Sequence, residues 1–206
     1  MAGCCHNKTD FTGLSPAYKR ILLIVIAINA IMFFVEMFAG VKANSQALQA
    51  DALDFLGDTL TYSISLWAIG KPLQLRSRVA LFKGFSLLLM AVWILSSTLY
   101  KFWFIQTPDA TMMGSVAILA FVANVISVLL LVKYKNGDAN IRSVWLCSRN
   151  DAIGNLVVLI AASGVWVTDS GLPDLIVAVF LATLFLSSAK QIIQQANAER
   201  KQTHQY

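Results

Sequence analysis

The chain has 206 residues, of which 57% are apolar and only 13% charged, with a formal net charge of +5. Its mean hydropathy of +0.66 sets it apart from soluble domains, which run near ~25% charged, and excludes a disordered chain, a disulfide-stapled secreted domain and a nucleic-acid-binding module. Three cysteines (Cys4, Cys5, Cys147) make no disulfide framework, and the two histidines, His6 and His204, fall outside every apolar run, which excludes intramembrane chemistry built on imidazole.

A bilayer core of ~30 Å needs about 20 apolar residues per helix. Six runs satisfy this and predict an all-α polytopic membrane protein, with spans near 19–41, 46–70, 79–103, 111–133, 143–168 and 173–194. Breakers separate them: Lys42-Ala-Asn-Ser45, Gly70-Lys-Pro72, Thr107-Pro-Asp109, Lys135-Asn-Gly-Asp138 and Asp169-Ser-Gly-Leu-Pro173. The joints are short, so neighbours run antiparallel. The expected organisation is a tail over 1–17, a six-helix domain over 18–195 and a second tail over 196–206. No cleavable signal peptide is expected, because the stretch before Lys19 is polar and the first apolar run is too long for one.

Basic residues set the orientation. Lys8, Lys19, Arg20, Lys71, Arg76, Arg78, Lys83, Lys133, Lys135, Arg142, Lys190, Arg200 and Lys201 fall on one side, and only Lys42 and Lys101 on the other. Arg149 lies within the fifth span. Both termini are therefore expected in the cytoplasm, and a compact chain of this kind suggests a bacterial inner membrane. Tyr18, Tyr100, Trp103, Tyr134 and Trp166, near span ends, read as interface anchors.

Polar residues are spread unevenly. The first span holds Asn29 and Glu36, and the second holds Asp51, Asp54 and Asp58. The fourth holds Asn124 and Ser127, and the fifth holds Cys147, Asn150, Asp151 and Asn155. Helices one, two, four and five should enclose a polar centre, with three and six outside. A mid-bilayer aspartate costs ~2.5–3.5 kcal/mol on insertion scales and marks function by default. Spacings of three and four put Asp51, Asp54 and Asp58 on one stripe. Carboxylates that close repel one another, and a divalent cation or protons relieve the repulsion. In the fifth span Cys147 and Asp151 are four apart, Asn155 continues the stripe and Ser143 begins it.

If the two helices face each other, Asp54, Asp58, Cys147 and Asp151 make a four-ligand site suited to a divalent transition metal. Asp51 reads as a ligand, a cap or a supporting group. Asn150 and Asn155 read as supporting groups, and Glu36 as a proton relay or as a bond to Asn29 on the same face. Asn124 and Ser127 read as links between helices. Cys4-Cys5-His6 is either a metal-capture tag or a chance cluster.

Ser45-Gln-Ala-Leu-Gln-Ala-Asp-Ala-Leu-Asp-Phe-Leu-Gly-Asp58 and Cys147-Ser-Arg-Asn-Asp-Ala-Ile-Gly-Asn155 resemble the second and fifth helices of the cation diffusion facilitator family. The resemblance covers residues 18–195. It implies a transport site at Asp54, Asp58, Cys147 and Asp151, a structural acid at Asp174 and efflux of a divalent metal by proton antiport. The metal stays open among zinc, cadmium, cobalt, iron and manganese. Cys147 stands where the family has His or Asp, and the all-aspartate second helix resembles its manganese and iron branch. The family's cytoplasmic metal-binding domain after helix six is not expected here, and the His-rich loop between helices four and five is absent from 133–143. A homodimer would then use membrane surfaces, with helices three and six as candidates. No cofactor, no enzymatic activity and no nucleic-acid partner are expected. A non-transporting metal-binding partner or sensor is the alternative, and an intramembrane aspartyl protease lacks its sequence contexts.

Overall fold

The computed structural model describes residues 15–67, 73–104, 107–135 and 139–203. Cys4, Cys5, His6 and the breakers at 70–72 and 136–138 lie outside the described residues, as does the side chain of Ser143. Six helices follow in order: α1 (Pro16–Lys42), α2 (Gln46–Trp67), α3 (Leu73–Trp103), α4 (Ala110–Leu131), α5 (Ala139–Thr168) and α6 (Leu172–Thr203), with a 3-10 turn at Val132–Tyr134 after α4. Among the described residues there is no strand. Helix α6 runs nine residues past its expected end at 194, into the segment read as a tail.

Among the described residues, five of the six helices are long and apolar enough to cross a bilayer, and α2 is the exception. Its three aspartates and two glutamines dilute the apolar run. It is instead the most surrounded helix, packed against α1, α3, α5 and α6. Apolar side chains elsewhere face outward, among them Phe34, Phe38, Leu89, Trp93, Ile160 and Trp166, as an integral membrane protein requires. Helix α3 pairs with α6, α1 with α2 and α4 with α5. Helix α3 packs on α6 and α2, and α6 packs on α3, α2 and α5, so α6 is less peripheral than expected.

The joint between α1 and α2 explains their close pairing. Asn44 adopts φ +60°, the left-handed cap position that asparagine tolerates, and Ser45 N donates to Gly40 O at 2.9 Å. A Cβ on Gly40 would lie 3.0 Å from Gln49 N and 3.1 Å from Leu48 Cβ, so glycine permits the approach. Asp109 caps α4 by accepting from Met112 N at 3.0 Å, and its own N–H donates to Ala43 O at 3.0 Å, tying α4 to this joint.

At the opposite end, Tyr18, Leu22, Val25, Tyr62, Leu131 and Val144 form a buried cluster. Tyr18 is not an interface anchor: it is 1% exposed and meets Tyr134 edge-on, with ring centroids 5.2 Å apart. Tyr100, Trp103 and Trp166 do face outward.

Candidate metal site between helices α2 and α5

Asp51, Asp54, Phe55 and Asp58 of α2 share one narrow recess with Asn29 of α1, Asn124 of α4 and Asp151 of α5. It is too narrow here to admit a water molecule. The four helices that the polar residues single out are those that line it. The i,i+3 and i,i+4 spacing aligns the α2 carboxyls down one face, and contact between α2 and α5 brings Asp151 opposite them.

Asp58 is 9% and Asp51 4% exposed, while Asp54 and Asp151 are half-buried. Asp151 stands within hydrogen-bonding reach of Asp58 and within electrostatic reach of Asp54 and Cys147. Two carboxyls that close can bond only through a proton or a cation. Asp151 Oδ2 is buried without a donor among the described residues, so the recess carries an unmet demand for positive charge. The carboxyls line the space without closing on one point: among the described residues no three His, Cys, Asp or Glu side chains enclose a single ion.

Cys147 is not in the lining. It packs half-buried against the Tyr18–Tyr62–Val144 cluster, in electrostatic reach of Asp151. Tyr62 escaped the sequence reading, although it lies four residues after Asp58 on the same stripe. Its hydroxyl meets Val144 O at 3.4 Å and Ser148 Oγ at 3.3 Å, and it is also within hydrogen-bonding reach of Asp58. Tyr62 thus bridges α2 and α5 one turn beyond Asp58.

Asn155, fully buried, links three helices. With its amide turned so that the nitrogen faces the carboxylate, the nitrogen donates to both oxygens of Asp51, at 3.2 Å to Oδ1 and closer to Oδ2, and the oxygen accepts from Asn124 Nδ2 at 2.8 Å; the opposite orientation would set oxygen against oxygen. Asn124 is thus a link between helices, whereas Ser127 Oγ bonds only Ala123 O in its own helix. Glu36 and Asn29 do not bond. Asn29 Nδ2 donates to Val25 O at 2.9 Å. Glu36 faces α2 within hydrogen-bonding reach of Asp51, with both oxygens buried and no donor among the described residues. Asn150 lies on the exposed face beside Arg149, whose Nη2 donates to its Oδ1 at 3.3 Å. Arg149 stacks over Trp145 at 5.5 Å and faces outward, away from the aspartates.

Residues 22–196 match the family model described as the cation efflux transmembrane domain. The chain is 28% identical over 188 residues to the zinc transporter ZitB of Yersinia pestis, which covers 85% of this chain and 60% of that protein. It is 26% identical over 156 residues to the metal cation efflux system protein CzcD of Cupriavidus metallidurans, covering 70% of this chain and 49% of the other. To ZitB of Escherichia coli it is 25% identical over 204 residues, covering 93% and 65%. The chain thus spans about half to two thirds of the length of these curated relatives.

Proposed function

The chain belongs to the cation efflux transmembrane family, and from that premise we propose that it carries a divalent transition metal out of the cytoplasm in exchange for protons. The convergence of Asp51, Asp54, Asp58 and Asp151 on one recess is the observation that carries this reading. Metal binds as cargo to Asp54, Asp58 and Asp151; Cys147, one turn before Asp151 on α5 and packed outside the lining, would have to turn inward to serve as a fourth donor. Carboxylates must shed their protons to take the ion, so loading expels protons and protonation from the far side releases the metal. Alternating access then needs the helices to rock around a site near the midplane. The names of the relatives favour zinc, and a thiolate donor also suits the softer ions. The basic-residue asymmetry supports cytoplasmic termini, and the bacterial relatives support an inner membrane.

Proteoliposome flux with a panel of metals and an imposed pH gradient tests transport, selectivity and coupling together. Asp58→Ala should abolish flux in a protein that still purifies as a monodisperse species. Normal metal flux through that variant defeats the assignment.

A further inference from the structure

Helix α2 begins in an unusual way. The first N–H groups of a helix have no partner within it and need an outside acceptor. Here two of them are satisfied from the far end of the chain. Gln46 N donates to Asp174 Oδ2 at 2.7 Å and Ala47 N to Asp174 Oδ1 at 3.0 Å. Ser45 Oγ donates to Asp174 Oδ1 at 2.6 Å and in turn accepts from Leu48 N at 3.0 Å. Three consecutive N–H groups are thereby capped by Asp174 and by the Ser45 hydroxyl that Asp174 orients. Asp174 is 1% exposed and sits in the first turn of α6.

Helix α3 joins the same junction. Ser97 Oγ donates to Gln46 Oε1 at 2.7 Å. Lys101 Nζ donates to Asn44 O at 3.1 Å and also to Asn44 Oδ1. The start of α2 is thus held by the α3–α6 pair, the two helices that contribute no side chain to the recess.

We propose that Asp174 is a positioning residue for the metal recess, acting across α6 on the helix that carries Asp51, Asp54 and Asp58. The inference rests on the functional reading above. Ala47 precedes Asp51 by four residues and Asp54 by seven, about 6 Å and 10 Å along the axis at ~1.5 Å per residue. An uncapped first turn therefore ends where the carboxylates begin. A buried carboxylate at a helix N-terminus also opposes the positive end of the helix dipole, so the α2 register depends on both bonds and charge.

The test is zinc binding to purified full-length protein in detergent, with zinc flux in vesicles, for the wild type, Asp174→Asn and Asp174→Ala. A residue that only stabilises the fold lowers the folded fraction and the maximal flux and leaves the affinity of the folded molecules unchanged. A positioning residue moves Kd and KM. Asp174→Ala should raise both about tenfold or more, equivalent to ~1.4 kcal/mol. Asp174→Asn keeps one acceptor oxygen and should fall between it and wild type. Should the alanine variant not fold, the asparagine variant decides. Kd and KM at the wild-type value in a folded Asp174→Asn protein overturn the inference. Failure of the wild type itself to bind zinc overturns the functional reading instead.

Discussion

Replacing Asn155 with alanine tests how the recess is held together. The amide satisfies Asp51 on α2 and Asn124 on α4 from its place on α5, so Asn155→Ala removes two interhelical interactions and leaves the Asp51 carboxylate without that donor. In water a hydrogen bond to a charged group contributes ~1.5–3 kcal/mol and one between neutral groups ~0.5–1.5 kcal/mol, which for the Asp51 and Asn124 bonds together suggests a loss of ~2–4.5 kcal/mol. The membrane lowers this figure. Helices separated within lipid still find polar partners, and interhelical bonds measured there average ~0.6 kcal/mol, with a maximum of ~1.7. The lipid value governs here, giving about 1–3 kcal/mol in all. For a chain of this size each kcal/mol shifts Tm by ~2–4 °C, so thermal unfolding in detergent should fall by roughly 2–12 °C. Ser163→Ala, which removes an exposed hydroxyl bonded only to Leu159 O, serves as the control. Equal melting temperatures for the two variants would refute the three-helix link.

Glycine positions give a second comparison. Gly40→Ala forces a methyl against Gln49 N and should destabilise by about 1–2 kcal/mol net of helix propensity. Gly154→Ala meets nothing within 4 Å and should stabilise by ~0.5–1 kcal/mol; chemical denaturation of the two variants reads the opposite signs. Zinc affinity should fall on acidification, because each proton that the metal displaces changes Kd about tenfold per pH unit. Calorimetric titrations at several pH values that give one constant Kd argue against carboxylate ligands. Cys147→Ser should lower cadmium binding more than manganese binding if the thiolate donates to the metal, and equal changes for both ions place Cys147 outside the coordination sphere.

The number of helices and their approximate ends were legible in the sequence because a bilayer fixes the length of a span and short polar joints end it. The carboxylate stripe was legible for a similar reason: the spacing of Asp51, Asp54 and Asp58 is a property of one helix. Contacts between helices were not. Glu36 and Asn29 share a face of α1, yet Glu36 turns to Asp51, a partner set by how closely α1 and α2 approach at Gly40. Arg149 lies within the fifth span, as do Asp151 and Asn155, yet packing sends it outward onto Trp145. Tyr18 is of the residue type that favours an interface and is buried because the 3-10 turn after α4 brings Tyr134 against it. Asp174 was read as structural, but its partners lie 127 to 129 positions earlier in the chain, and no local pattern announces them. Tyr62 could have been found by extending the stripe one more turn.

Helix α2 carries a consequence for biosynthesis. Among the described residues it is the one helix that is not long and apolar enough by itself to cross a bilayer, and it is the second to leave the ribosome. Its acids acquire the Asn155 amide only when α5 has been made, and its first turn acquires the Asp174 carboxylate only with α6. Until then α2 depends on the Asn44 hairpin with α1 for insertion, and its polar face waits for cover. A chain stopped before α6 should be a ready substrate for membrane quality control, because the helix that needs shelter earliest is completed by the one synthesised last.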